Sequence, residues 1–151
     1  MSLATDRKAI FLKLFQDDTL KTLMKIPTVD KNNLGKVRDL YITHSYGSDT
    51  IITNLNCRIL FRNVPLTGTN NQYVKWDGII FEIFVKNSEE YTVESDGLIR
   101  RQEAIADRLY ELLARQYVAS MKFEPVDRGD LYCGTEGYKR YFVKFTYKRI
   151  F

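Results

Sequence analysis

The stretch Asp77-Gly-Ile-Ile-Phe-Glu-Ile-Phe-Val-Lys86 decides how this chain folds. Ile79, Phe81, Ile83 and Val85 alternate with Ile80, Glu82, Phe84 and Lys86, and a period of two is what a β-strand imposes on its side chains. One set is wholly apolar and the other mixed, so the strand lies on a core through one face. Gly78 marks either a bulge or the start of a second strand after a turn. Asn87 to Asp96 reads as an acidic connector, and Ser95 or Asp96 as the cap of a helix from Leu98 to Gln116. At about 100° per residue, Leu98, Ile99, Ile105, Ala106, Leu109, Leu112 and Leu113 fall on one continuous arc of that helix.

The flanking segments follow the same two periods. Toward the C-terminus, Met121 and Phe123 suggest a strand, Asp127-Arg128-Gly129-Asp130 a turn, and Gly134 to Gly137 another. In the closing strand Tyr141, Val143, Phe145 and Tyr147 oppose Phe142, Lys144, Thr146 and Lys148. Toward the N-terminus, Asp6 to about Ile26 is helical, broken at Asp17-Asp18-Thr19 with Asp18 as a new N-cap, and Pro27 ends it. Asp30 to Lys36 reads as loop, Asp39 to Thr43 as a short strand and Tyr46 to Asp49 as a turn. Leu55, Cys57, Ile59 and Phe61 mark a half-buried strand, and Pro65 to Gln72 a polar loop. Strands that cluster rather than alternate with helices predict an α+β fold, a single antiparallel or mixed β-sheet with helices packed mainly on one face. The expected organisation is one domain over residues 1–151, with a protruding loop or hairpin within residues 34–72.

Composition narrows the function classes. With 151 residues, 44% hydrophobic and 28% charged, the chain fills a core and is neither disordered nor built to span a bilayer. The N-terminus shows no secretory pattern, and two widely spaced cysteines, Cys57 and Cys133, read as reduced thiols of an intracellular protein. A net charge of +4 is mild for a dedicated nucleic-acid binder. The twenty aromatic side chains sit mostly in strand-type alternation, which makes sheet packing their main role and base stacking the alternative.

Catalytic constellations are sparse. His44 is the sole histidine, so a serine triad or Cys–His dyad must be built around it, and neither Cys57 nor Cys133 has an electropositive setting. Zinc would need more ligands than the chain offers. Asp77, Glu82 and Lys86 carry the elements of a magnesium nuclease, but the slot two residues after Glu82, where such enzymes place lysine, holds Phe84. Gly134-Thr-Glu-Gly137 opens no helix after a strand, so no phosphate cradle is expected there. The expectation is no catalytic, cofactor-binding or metal-binding residue.

Arg101, Arg108 and Arg115 recur at intervals of seven along one border of the predicted helical arc, with Glu103, Asp107 and Glu111 beyond the other. Three readings compete: stems that cover the core edge with heads in water, contact with acids on a neighbouring copy, and contact with DNA phosphates. These six residues are the expected oligomer interface.

The order of elements adds a resemblance. Asp77 to Lys86, the acidic connector, Arg101-Gln-Glu-Ala-Ile-Ala-Asp-Arg-Leu-Tyr-Glu-Leu-Leu113, Phe123-Glu-Pro-Val-Asp-Arg-Gly-Asp130 and Gly137-Tyr-Lys-Arg-Tyr-Phe-Val-Lys-Phe-Thr-Tyr147 together resemble the tail terminator (tail completion, or head–tail joining) proteins of bacteriophages and prophages. The resemblance covers most of the chain and contains no catalytic motif. It implies an α+β subunit without cofactor or enzymatic activity. Six copies would form a ring that caps the tail tube and joins tail to head. The implied partners are further copies of the chain, tail tube and head-connector proteins, and non-specifically the DNA in the ring lumen. The implied location is the virion, assembled in the bacterial host cytoplasm, with no membrane. A basic nucleic-acid-binding domain and a metal-dependent nuclease are the alternative functions.

Overall fold

The computed structural model describes residues 3–27, 35, 40–44, 55–64, 74–91 and 98–150. In chain order these form α1 (Leu3–Phe15), α2 (Asp18–Met24), β1 (Ile42–His44), β2 (Cys57–Val64), β3 (Val74–Lys86), a 3-10 turn (Asn87–Glu89), α3 (Arg101–Leu113), β4 (Tyr117–Val118), β5 (Met121–Leu131) and β6 (Tyr138–Ile150). The strands make one sheet in the order β1-β2-β3-β6-β5-β4. β1 runs parallel to β2 and every other neighbouring pair is antiparallel, so the sheet is mixed and the fold is α+β.

The pattern that starts in β3 organises the sheet. Ile79, Phe81, Ile83 and Val85 are buried on one face with Ile59 and Phe61 of β2, Phe123 of β5, and Tyr141, Val143, Phe145 and Tyr147 of β6. α1, α2 and α3 pack on that same face and contribute Ile10, Leu14, Leu20, Met24, Ile105, Leu109 and Leu113. Aromatic rings tie neighbouring strands together: Phe61 to Phe81 at 5.9 Å between centroids, Phe81 edge-on to Phe145 at 5.9 Å, and Phe145 edge-on to Phe123 at 6.1 Å. Such pairs add to the burial of large apolar area. β3 runs unbroken through Gly78, which pairs with Val64 on one side and Thr146 on the other, so no bulge or second strand begins there.

Several boundaries differ from those expected. The break between the first two helices is capped by Asp17, not Asp18: its extended backbone leaves a carboxylate oxygen 2.8 Å from the Leu20 amide. An N-cap must lie outside the helix to reach that amide, and Asp18 is already inside. Lys25 closes α2 in the left-handed region at φ 56°, just before Pro27. α3 is shorter than the apolar arc suggested. Arg100, extended and bridged to Tyr91, is its N-cap residue, and Leu98 and Ile99 stand outside the helix, 86% and 51% exposed. The expected caps Ser95 and Asp96 lie outside the described residues.

The segment Asp127-Arg128-Gly129-Asp130 is strand, not turn. A register shift between Pro125 and Asp127 absorbs Val126, after which β5 pairs with β6 through Leu131. Proline cannot donate to a ladder, and a bulge accommodates it while letting the long partner strand continue the pairing. Gly134 to Gly137 does lie in the loop before β6, with Gly137 at φ 86°. The short strand occupies 42–44 rather than 39–43. Within 34–72, β1 and β2 belong to the sheet. Of the loops expected at 30–36, 46–49 and 65–72 only Gly35 is described, and it is helical rather than loop.

Truncating Phe81, which is fully buried between Phe61 and Phe145, leaves a void that its neighbours cannot close. Phe81→Ala is expected to cost about 3–5 kcal/mol, read as a lower midpoint in urea denaturation. A midpoint within error of wild type would contradict this packing.

Candidate functional site

α3 carries the residues singled out from the sequence, and the structure separates them. A spacing of seven puts arginines on one side of a helix only while the helix lasts. α3 begins at Arg101 and ends at Leu113, so Arg115 lies past it, exposed and in the left-handed region at φ 58°. Arg101 is 5% exposed, with its head turned inward. Its Nε donates to the Glu89 carbonyl at 2.7 Å and its Nη1 to the Leu23 carbonyl at 2.6 Å. A guanidinium offers five donors in a fixed fork, and here it joins the last turn of α2, the 3-10 turn and the start of α3. Lys25 reaches the Glu89 carboxylate at 2.5 Å and, with smaller help from Arg101, holds its pKa below the ordinary value.

Arg108 lies over the break between the first two helices. Its Nε and Nη2 donate to the two oxygens of Asp17 at 2.8 and 2.5 Å, and its Nη1 to Glu111 at 2.6 Å. This two-pronged pair keeps the Asp17 carboxyl below its usual pKa against the opposing effect of partial burial, and raises that of the arginine. Glu103 and Asp107 are likewise held within the chain, by arginines the sequence pattern passed over. Arg100 donates to Glu103 at 2.5 Å and grips both oxygens of Asp130 at 2.9 Å. Arg128 donates to Asp107 at 2.8 Å and to the Tyr141 hydroxyl at 2.9 Å, with its guanidinium 5.0 Å from the centre of the Tyr110 ring. Reading Asp127 to Asp130 as strand would have revealed Arg128 and Asp130: alternate positions there share the face that meets α3.

The two acidic residues of β3 sit at register positions on opposite faces of the strand. The register sets Asp77 opposite Tyr147, on the helix-covered side, and Glu82 opposite Phe142, on the other. Five residues is an odd spacing, and a strand sends odd spacings to opposite faces. Glu82 is 2% exposed and accepts from Arg62 on one oxygen and from Arg140 on the other, the latter at 2.8 Å. Its buried charge is thus paired, which a carboxylate in that position requires. The side chain of Asp77 lies outside the described residues.

The cysteines and histidine are apart as well. Cys57 is in the core, where burial pushes its thiol up to about 12, far from the thiolate that nucleophilic attack needs. His44 stacks edge-on to Phe61 at 5.7 Å, and burial, then Arg7, disfavour its protonated form. In the β1–β2 register His44 is opposite Phe61, four residues and about 13 Å of strand from Cys57. Cys133, half-buried, packs against Leu60, Phe84 and Tyr138 on the face turned away from α1, α2 and α3. Among the described residues no cluster of three His, Cys, Asp or Glu is placed to hold a metal ion, and no helix is long and apolar enough to cross a membrane.

In comparison with known proteins, the chain matches no protein-family model and no curated protein.

Two outcomes follow from these environments. Asp17 with its pKa lowered stabilises the fold fully above its ordinary value of 3.8 and loses that contribution as pH falls through the depressed value. Asp17→Asn should therefore be about 1–3 kcal/mol less stable than wild type at pH 7. The two denaturation midpoints should approach each other in strong acid; a gap independent of pH would exclude the ion pair as its source. A thiol reagent at pH 8 should modify Cys57 only on unfolding. Its prompt reaction in the native protein would contradict the burial.

Proposed function

We propose that this chain is a structural subunit that works by assembly, a tail terminator-like protein whose copies close into a ring. The ring would cap a tail tube and join it to the head, with tail tube and head-connector proteins as partners in the virion. The observation that carries the reading is a set of large apolar side chains left in water on either side of the Arg100–Asp130 pair along the chain. The Arg100–Asp130 pair fastens the entry to α3 against the end of β5. Around that pair in sequence, Leu98 and Ile99, just before Arg100, are 86% and 51% exposed, and Tyr132, two residues after Asp130, is 86% exposed. Tyr91, bridged to Arg100 and half-exposed, joins them. Neighbouring exposed apolar and aromatic side chains mark surfaces that other proteins cover.

The contact surface in this reading differs from the one expected from sequence. Arg101, Arg108, Glu103, Asp107 and Glu111 all bond within the chain. They shape α3 and hold its entry in place, while the apolar rim around Arg100 and Asp130 meets the neighbour.

Light scattering coupled to size-exclusion chromatography tests this. Wild type is expected to form a closed oligomer, of six copies by the resemblance, alone or on addition of tail tube protein. Ile99→Asp combined with Tyr132→Asp should leave a monomer whose stability is within about 0.5 kcal/mol of wild type, as for other exposed positions. A wild type that stays monomeric with tube protein present, or a double variant that assembles normally, overturns the proposal.

A further inference from the structure

The sheet has a second face, turned away from α1, α2 and α3, and its charge differs from that of the first. α1, α2 and α3 pack against the face of Phe81 and Phe145. On the other, β6 presents Arg140, Phe142, Lys144, Thr146 and Lys148; β3 presents Ile80, Glu82, Phe84 and Lys86; β2 presents Arg58, Leu60 and Arg62. Lys122 and Glu124 of β5 complete it opposite Lys148 and Thr146. Leu60, Phe84 and Tyr138 at one end are buried under Cys133 and the Arg140 guanidinium, whose carbon is 5.9 Å from the Phe84 ring centre. Arg58 and Glu82 are buried too, Lys148 is exposed, and Arg62, Arg140, Lys144, Lys122, Ile80 and Phe142 are half-exposed.

Among the described residues, the acids are distributed the other way. Asp17, Glu89, Glu90, Glu103, Asp107 and Glu111 belong to the helices and the 3-10 turn region on the covered side. On the opposite side, Glu82 is shared between Arg62 and Arg140, so one buried negative charge answers two guanidiniums that remain about a quarter exposed. Glu124 faces Thr146, and Asp127 stands at the bulge opposite Lys144. Lys122 leans over Tyr117 at 5.8 Å, which adds an exposed aromatic to the basic edge. Among the described residues, basic groups therefore outnumber acids across this face, on a backbone of four adjoining strands.

We infer that the face opposite α1, α2 and α3, through Arg62, Lys122, Arg140 and Lys144, is a contact surface for the phosphate backbone of nucleic acid. Charge complementarity selects the occupant. Guanidinium and ammonium groups at fixed spacing on a sheet match a regular line of phosphates. Ile80 and Phe142 between them offer apolar contact to sugars without reading sequence. The surface is distinct from the Arg101, Arg108 and Arg115 set and from the apolar rim around Arg100. It therefore stands or falls independently of ring formation.

Fluorescence anisotropy with a labelled random-sequence DNA duplex of 30 base pairs tests it. Wild type should bind in 50 mM salt and weaken about a hundredfold by 200 mM, as four phosphate contacts predict. Lys122→Glu with Lys144→Glu should lower affinity at least tenfold at 50 mM salt and reduce the salt slope by about two. Arg115→Ala should leave both unchanged, and thermal melting checks that each variant is folded. Poly-glutamate at equal charge should compete poorly. The inference is overturned by the absence of binding at 50 mM salt or by a double reversal that binds like wild type. It is also overturned by loss of binding in Arg115→Ala, or by poly-glutamate displacing the duplex as well as unlabelled DNA does, which would make the occupant an acidic protein.

Discussion

Register between β3 and β6 is the constraint on which the rest of the molecule depends. Both strands are thirteen residues long and pair along their whole length, with Phe81 opposite Val143 and Glu82 opposite Phe142. Every inward residue of one strand therefore meets an inward residue of the other, and the same holds for the outward set. A slip of one position would send Glu82 under the helices and turn Phe81 to water. The aromatic contacts from Phe61 to Phe123 exist in this register alone. The division of the sheet into an apolar side that meets α1, α2 and α3 and a more basic opposite side follows from the same alignment.

The helices are placed by ion pairs as well as by apolar packing. Individually such pairs contribute little at a surface, but here they fix positions. Arg108 holds the junction of α1 and α2 against α3, Arg101 ties the end of α2 to the start of α3, and Arg128 holds the middle of α3 over β5. Each links segments distant in sequence. Arg101 satisfies carbonyls that the end of α2 and the 3-10 turn would otherwise leave buried and unpaired, the more costly omission.

That distance separates what was legible in the sequence from what was not. Alternation in Ile79 to Val85 and Tyr141 to Tyr147, and helical spacing in Ile105 to Leu113, are local consequences of burial, and they led directly to the sheet, α3 and the α+β class. The side chains of Arg101 and Arg128 obey partners on other elements. Counting sevens along one helix took Arg101 for a border residue because nothing nearby reports the Leu23 carbonyl that accepts from it. Leu98 and Ile99 fit the apolar arc, yet the chain is extended at Arg100, where the bridge to Tyr91 holds it out of the helix. Asp127 to Asp130 has the composition of a turn, and the ladder with β6 overrides it. The odd spacing of Asp77 and Glu82 was visible from the start, and it already separates the two carboxylates.

The bulge at Val126 bears on solubility. β4 pairs only with Met121 and Lys122, which leaves the outer border of β5 beyond Phe123 without a neighbouring strand among the described residues. A long, flat border of that kind templates uncontrolled stacking of chains. Pro125 withholds a donor, and the extra residue beside it twists the strand out of line. Copies of the chain are thereby kept from zipping together through their backbones.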